Sequence, residues 1–170
     1  MAPSSGFPLA ICDAGPLIHL DELGCLDTLQ DFQALLVPSS VVDEVAQHRH
    51  IDFEVWRLTA VPDPEIDGIH ASLARTYCLH KGETSAIVLL RQTQESAVLL
   101  TDDAAARLAC IHMGLKAHGT LGVLLRAVRR GSRSAEDIAR IIASIPARST
   151  LHIHQSLLDM AISDLKTFAN

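Results

Sequence analysis

Five acids stand where this 170-residue chain passes between an apolar run and a helical pattern: Asp13 in "AICDAGPLI", Glu44 in "SSVVDEVA", Glu83 in "HKGETSAIVLL", and Asp102 with Asp103 in "AVLLTDDAAARLA". A single carboxylate in such a place is ordinarily a helix cap or a solvated helix end. Several drawn together from distant segments repel one another and lose hydration, a cost that protonation or a bound cation offsets. Hard oxygen donors suit Mg2+ or Mn2+, which take carboxylates, waters and phosphate oxygens. Glu22, Asp27, Asp31 and Asp137 lack the apolar context and read as surface or capping acids.

The elements that must position these acids follow from the hydrophobic pattern. "PLAICD" is a short apolar run ending in an acid, as in a strand buried on both faces, and this places Asp13 at its carboxyl rim. Pro16 opens a helical pattern continuing through "PLIHLDELGCLDTLQD", and "FQALLVP" is a second strand. Ser39 and Ser40 are expected to cap "VVDEVAQH", Ser40 forming a capping box with Asp43, so that Glu44 falls in the first turns. "VWRLTAVP" reads as extended, and "EIDGIHASLARTYCLH" as an amphipathic helix ending near Lys81 and Gly82. The next helix, "GETSAIVLLRQ", puts Glu83 on the same side as Ile87 and Leu90, a poor place for an unpaired charge.

"AVLLTDD" is a strand followed by the helix "AAARLACIHMG", and "LKAHGT" is the next strand, with Thr120 capping "LGVLLRAVRRG". Ser134 and Asp137 form a capping-box pattern for "AEDIARIIASI", which Pro146 is expected to break; "TLHIHQSLLDMAISDLKTF" closes the chain as an extended piece and a helix. Alternating strands and helices predict an α/β fold, a three-layer α/β/α sandwich with a mostly parallel central sheet. Sites in such sheets lie beyond the carboxyl ends of the strands, where Asp13 and Asp102 are placed.

At 48% hydrophobic and 20% charged residues, the chain suits one continuous core. No segment approaches the ~20 apolar residues that span a bilayer, and "MAPSSGFPLAIC" carries neither a charged leader nor a long apolar run, so a soluble cytoplasmic protein is expected. Cys12, Cys25, Cys78 and Cys110 form no C-x-x-C pair, which favours reduced core thiols over zinc or disulfides. The net charge of −6 argues against a generally basic nucleic-acid surface but leaves room for a local patch: Arg126, Arg129, Arg130 and Arg133 recur at helical spacing and suit either RNA phosphates or a solvated face.

"CDAGPLIHL", "VPSSVVDEV", "KGETSAIVLL", "LLTDDAAARLA" and "AHGTLGVLL", in that order, resemble the motifs of the PIN-domain family, which includes the VapC-type toxins of toxin–antitoxin pairs, and in particular a PIN-like subfamily with "GE" and "DD..AR" motifs. The resemblance runs from about Leu9 to Arg130. It implies a nuclease domain over 1–130, with 131–170 as a C-terminal helical tail packed on the same domain. It also implies a metal-dependent nuclease that hydrolyses RNA, or else single-stranded DNA, leaving 5′-phosphate and 3′-hydroxyl ends. Asp13, Glu44, Glu83 and Asp102 take the catalytic positions by this likeness. Asp13, Glu83, Asp102 and Asp103 are then the metal ligands for Mg2+ or Mn2+, with Thr101 behind them or capping a helix. The third acid is Glu rather than the Asp of many toxins, which leaves metal number and geometry open. An antitoxin partner and a homodimer are implied in the same way. The competing expectation is a non-catalytic PIN-like nucleic-acid-binding or regulatory module.

Overall fold

A computed structural model describes residues 9–93 and 96–168; the N-terminal reading of "MAPSSGFP", including Pro8 at the start of the first expected strand, lies outside the described residues. Five strands, β1 (Leu9–Cys12), β2 (Ala34–Pro38), β3 (Leu58–Val61), β4 (Ala97–Leu100) and β5 (Ala117–His118), form one sheet in the order β3-β2-β1-β4-β5, every pairing parallel. Among the described residues eight α-helices accompany it: α1 (Ala14–Glu22), α2 (Ser39–His48), α3 (Gly68–Tyr77), α4 (Lys81–Gln92), α5 (Ala104–His112), α6 (Thr120–Arg130), α7 (Ala135–Arg148) and α8 (Gln155–Phe168). The fold is a three-layer α/β/α sandwich.

Period-two alternation along apolar strands explains the layers. Ala10, Cys12, Val98 and Leu100 face one core with α1, α2, α6, α7 and α8, while Leu9, Ile11 and Leu99 face the other with α4 and α5. Buried on both faces, the central strands β1 and β4 carry no polar residue until they end, whereas the edge strand β3 is largely exposed and carries Thr59. None of the helices among the described residues is long and apolar enough to cross a membrane. All four cysteines are free; Cys12, Cys25 and Cys110 are buried and Cys78 is exposed.

Helix boundaries depart from the pattern at four places, each for a local reason. The expected helix through "PLIHLDELGCLDTLQD" stops after Glu22 because Gly24 turns left-handed (φ +67°), and Leu26–Asp31 form a separate 3-10 turn. Cys78, also left-handed, ends α3, so Lys81 and Gly82 belong to α4 instead of terminating its predecessor. Neither Ser39 nor Ser40 caps α2, whose N-cap is Pro38; the Asp63 carboxylate, arriving from beyond β3, accepts from the Ser40 N–H at 3.0 Å and its hydroxyl at 2.8 Å. Pro146 does not break α7, which continues to Arg148. Its missing N–H falls in the last turn, while Ile138, Ile141, Ile142 and Ile145 anchor the helix in the larger core.

Residues 135–168 thus complete the hydrophobic core on one face of the sheet, with Leu158, Ala161 and Leu165 of α8 buried alongside α7. Ser134 caps α7 by accepting from the Asp137 N–H, whereas the Asp137 carboxylate turns to Arg133 at 2.5 Å and does not complete a capping box. Ile142→Ala should therefore cost about 2–5 kcal/mol in urea unfolding, the range for truncating a buried isoleucine. A cost within ~0.5 kcal/mol, as for a surface site, would show that the tail is not integral to the core.

Candidate active site at the switch point of the sheet

Chain direction across the sheet diverges between β1 and β4: α1 leads from β1 towards β2 on one side, while α5 leads from β4 towards β5 on the other. Such a divergence opens a crevice at the carboxyl ends of the two strands. The register Cys12↔Leu100 places Asp13 beside Thr101 there, and the Asp13 N–H extends the ladder to Leu100 O at 2.9 Å.

Asp13 is 5% exposed and accepts a 2.7 Å hydrogen bond at Oδ2 from the fully buried Thr101 hydroxyl, which itself accepts from the Asp103 N–H at 3.2 Å. The Asp13 pKa is raised to about 7, chiefly by burial, with smaller contributions from Glu83 and Glu44 and against the lowering effect of Thr101 and the Ala14 N–H. Burial, followed by the charge of Asp13, likewise pushes the Cys12 thiol up to about 12.

Glu44 stands exposed on α2 and reaches the same place across Gly82. A β-carbon at 82 would lie 3.2 Å from Glu44 Oε2, 3.2 Å from Val41 Cγ2 and 3.9 Å from Asp13 Oδ1, so the glycine of the "GE" pair keeps the two carboxylates close. Glu83 is not the unpaired buried charge that its spacing suggested: Oε2 accepts the His80 N–H at 2.6 Å, closing the N-terminus of α4. Asp103 caps α5 through the Ala106 N–H at 2.7 Å.

Asp102 faces away from this group and is saturated with donors. Oδ1 accepts the Thr120 N–H at 2.7 Å, and Oδ2 accepts the Thr120 hydroxyl at 2.6 Å and lies 2.8 Å from His19 Nδ1. Burial alone would raise its pKa, but the bonds from His19 and Thr120 prevail and hold the carboxyl below its usual range. Thr120, expected to cap α6, is thus its first residue, and Asp102 does the capping from another strand. Gly119 makes this approach possible, since a β-carbon there would fall 2.6 Å from Asp102 Oδ1 and 3.0 Å from Arg107 Nη1.

The four acids expected to meet in one seat therefore divide. Glu44, from the middle of α2, and Glu83, from the first turn of α4, act electrostatically on Asp13 at the end of β1, while Asp102 is held in a hydrogen-bond hub with α1 and α6. Among the described residues no three of Asp, Glu, His and Cys are grouped so as to hold a metal ion as they stand. Of the arginines, Arg126 lies 4.4 Å over the Phe32 ring and Arg133 clamps Asp27 at 2.9 and 2.7 Å, so both are engaged in internal packing. Arg129 and Arg130 are exposed, roughly 15 Å along α6 from its rim end. The bonds of His19 and Thr120 to Asp102 escaped the sequence reading because nothing local marks a partner 83 or 18 residues away.

A parallel sheet covered on both faces, with acids from four elements at its switch point, defines an α/β sandwich of the acid-site type. A family model described as a PIN domain matches residues 9–167, and the chain belongs to the PIN-domain family, whose fold is a nuclease-type fold. No curated protein matches the chain.

Two outcomes test this geometry. Because the folded pKa of Asp13 is raised above its unfolded value near ~3.9, its contribution to stability is full below that value and is lost as pH rises towards about 7. In chelator, Asp13→Asn should therefore stabilise the chain by roughly a few kcal/mol at pH 8 relative to pH 4, read by chemical denaturation at both; an effect independent of pH contradicts the assigned environment. Gly119→Ala should destabilise by about 1–3 kcal/mol by driving Asp102 off Thr120. An unchanged melting temperature would show that the loop absorbs the methyl group.

Proposed function

We propose that this chain is a divalent-metal-dependent nuclease that hydrolyses RNA phosphodiester bonds. The supporting observation is Asp13: a buried carboxyl on a rigid strand end, in a crevice whose neighbouring Glu83 and Glu44 oppose its ionisation. The missing ingredient is positive charge, and an oxygen-only donor set fits Mg2+ or Mn2+ better than softer metals. Asp13, with Oδ1 not taken by Thr101, would hold the ion, and Glu44 and Glu83, which are not grouped with it as they stand, would have to turn towards it to add their oxygens. Such an ion, when bound, lowers the pKa of water and neutralises charge developing on phosphate.

The chain's own groups do the positioning. Thr101 fixes the Asp13 carboxylate through Oδ2, and the ladder bond to Leu100 fixes its backbone. Asp102 holds the start of α6 and His19 of α1 against the crevice, so its substitution acts first through that hub. The Asp103 N–H, by donating to Thr101, orients the hydroxyl towards Asp13. Toxicity towards the host cell and an antitoxin partner are the setting we propose with this activity, supported by the likeness of the motifs.

With Mg2+ or Mn2+, the parent chain should cleave mixed-sequence RNA, while Asp13→Asn loses about 10²-fold or more, the scale of removing one electrostatic stabiliser. The folded state should also gain melting temperature with added ion in the parent and not in Asp13→Asn. Cleavage that survives Asp13→Asn overturns the mechanism; binding of RNA without cleavage under either ion would favour the non-catalytic module. Growth arrest on expression of the parent but not of Asp13→Asn is the matching measurement for the toxin role.

A further inference from the structure

Glu44 borders two places at once. Across Gly82 it approaches Asp13, and it also lines a separate open hollow of 510 Å³ between the exposed face of α2 and the start of α4. Ser40, His48, His80 and Lys81 are among the other residues of that hollow. The crevice offers oxygen donors alone, whereas the hollow adds two imidazoles, so the same carboxylate stands between two different donor sets.

Glu44 and His48 are four residues apart on α2, the separation at which two side chains of one helix face can share an ion. His80 meets them from the N-cap of α4, and its Nδ1 lies 3.4 Å from Glu83 Oε2. A carboxylate beside one ring nitrogen is the arrangement that orients the other, Nε2, for a metal. The two helices that carry these groups are fixed, α2 by buried Val41 and Val45, and α4 by buried Gly82, Thr84, Ser85 and Ala86. The three side chains are not closed on an ion as they stand, but all are exposed, His80 at 87%, and turn about their own torsions without disturbing the core. Lys81, the cation beside them, already has its ammonium on Asp63 at 3.0 Å. Two imidazoles and a carboxylate suit zinc, which binds nitrogen and oxygen in fourfold coordination and can keep a water in the last position, whereas Mg2+ and Mn2+ favour oxygen alone.

We propose that Glu44, His48 and His80 form a zinc site outside the crevice, which competes with the crevice for Glu44. A Glu44 carboxylate turned to zinc is withdrawn from an ion at Asp13, and one turned to Asp13 leaves zinc with two imidazoles only. Each ion therefore weakens the other, by the same factor in both directions. Zinc binding at this place stands apart from the nuclease reading, while its consequence for cleavage rests on it: zinc restrains the Mg2+- or Mn2+-dependent reaction without entering the crevice.

The test uses the full chain stripped of metal, titrated with Zn2+ against a chromophoric chelator and, separately, with Co2+ as a visible probe of coordination. The parent should bind one Zn2+ per chain and give the d–d absorption of a four-coordinate Co2+ site. His48→Ala and His80→Ala alter exposed side chains, and an unchanged melting temperature without metal confirms that each folds. Each should weaken zinc by at least about tenfold and lose the Co2+ band, whereas Asp13→Asn should keep both. Saturating Mn2+ should weaken zinc about tenfold in the parent and not in Asp13→Asn. Stoichiometric Zn2+ should slow Mg2+-dependent RNA cleavage by the parent and spare the double variant His48→Ala with His80→Ala. Zinc affinity equal in the parent and the double variant, or a parent Co2+ spectrum like that of the aqueous ion, overturns the proposal. So does zinc lost in Asp13→Asn, which would put it in the crevice, or in His152→Ala with His154→Ala, the exposed pair ahead of α8. Inhibition by zinc that is undiminished in the double variant overturns the competition even if RNA is cleaved. Zinc bound and displaced by Mn2+ as expected, with no cleavage under either hard ion, leaves the site standing and removes the nuclease reading.

Discussion

The charge of Asp13 is costly where the fold holds it. The strand before it is buried on both faces, its amide completes the ladder to Leu100, and the Thr101 hydroxyl clasps one oxygen, so the carboxyl can neither swing into solvent nor find a cationic side chain. Its neighbours add to the cost: Glu83 contributes a negative field from the first turn of α4, and Glu44, which with Asp13 flanks Gly82, contributes a second. A rim assembled this way favours either a proton or a cation at one defined point. That preference is a property of the packed domain, and it is the feature from which the functional reading grows.

Asp102, on the same edge, meets the same burial and resolves it differently. Three donors from His19 and Thr120 hold it as an anion, and in doing so tie the end of β4 to α1 and α6. Two aspartates at adjacent strand ends are thereby pushed apart in pKa by surroundings alone, which is how a site gives different tasks to chemically identical groups. The arrangement depends on Gly119, because Asp102 Oδ1 occupies the position a β-carbon would need.

The C-terminal region links stability to the surface near the crevice. Four isoleucines of α7 and the inner face of α8 complete the core, and the segment between these helices walls a hollow beside Asp102. Changes that loosen this packing should reach that surface, since the same chain segment serves both. Arg126 and Arg133, read from spacing as a basic face, instead spend their guanidinium groups on Phe32 and on Asp27, holding α6 and the start of α7 to the 3-10 turn.

Sequence alone determined what depends on near neighbours and on hydrophobic period. The buried strands, the parallel α/β class, the acids at their carboxyl ends and the Ser134 cap follow from apolar runs that must be covered on both faces and from residue types that favour strand ends. Only the tertiary structure decided which partner each polar group takes. Asp63 caps α2 across 23 residues, Asp102 caps α6 across 18 and meets His19 across 83, and Glu83 turns back on its own helix. Hydrogen bonds are short-ranged and directional, so their pairing is fixed by which strand ends the sheet register sets side by side, and that register is written in no local stretch of the chain.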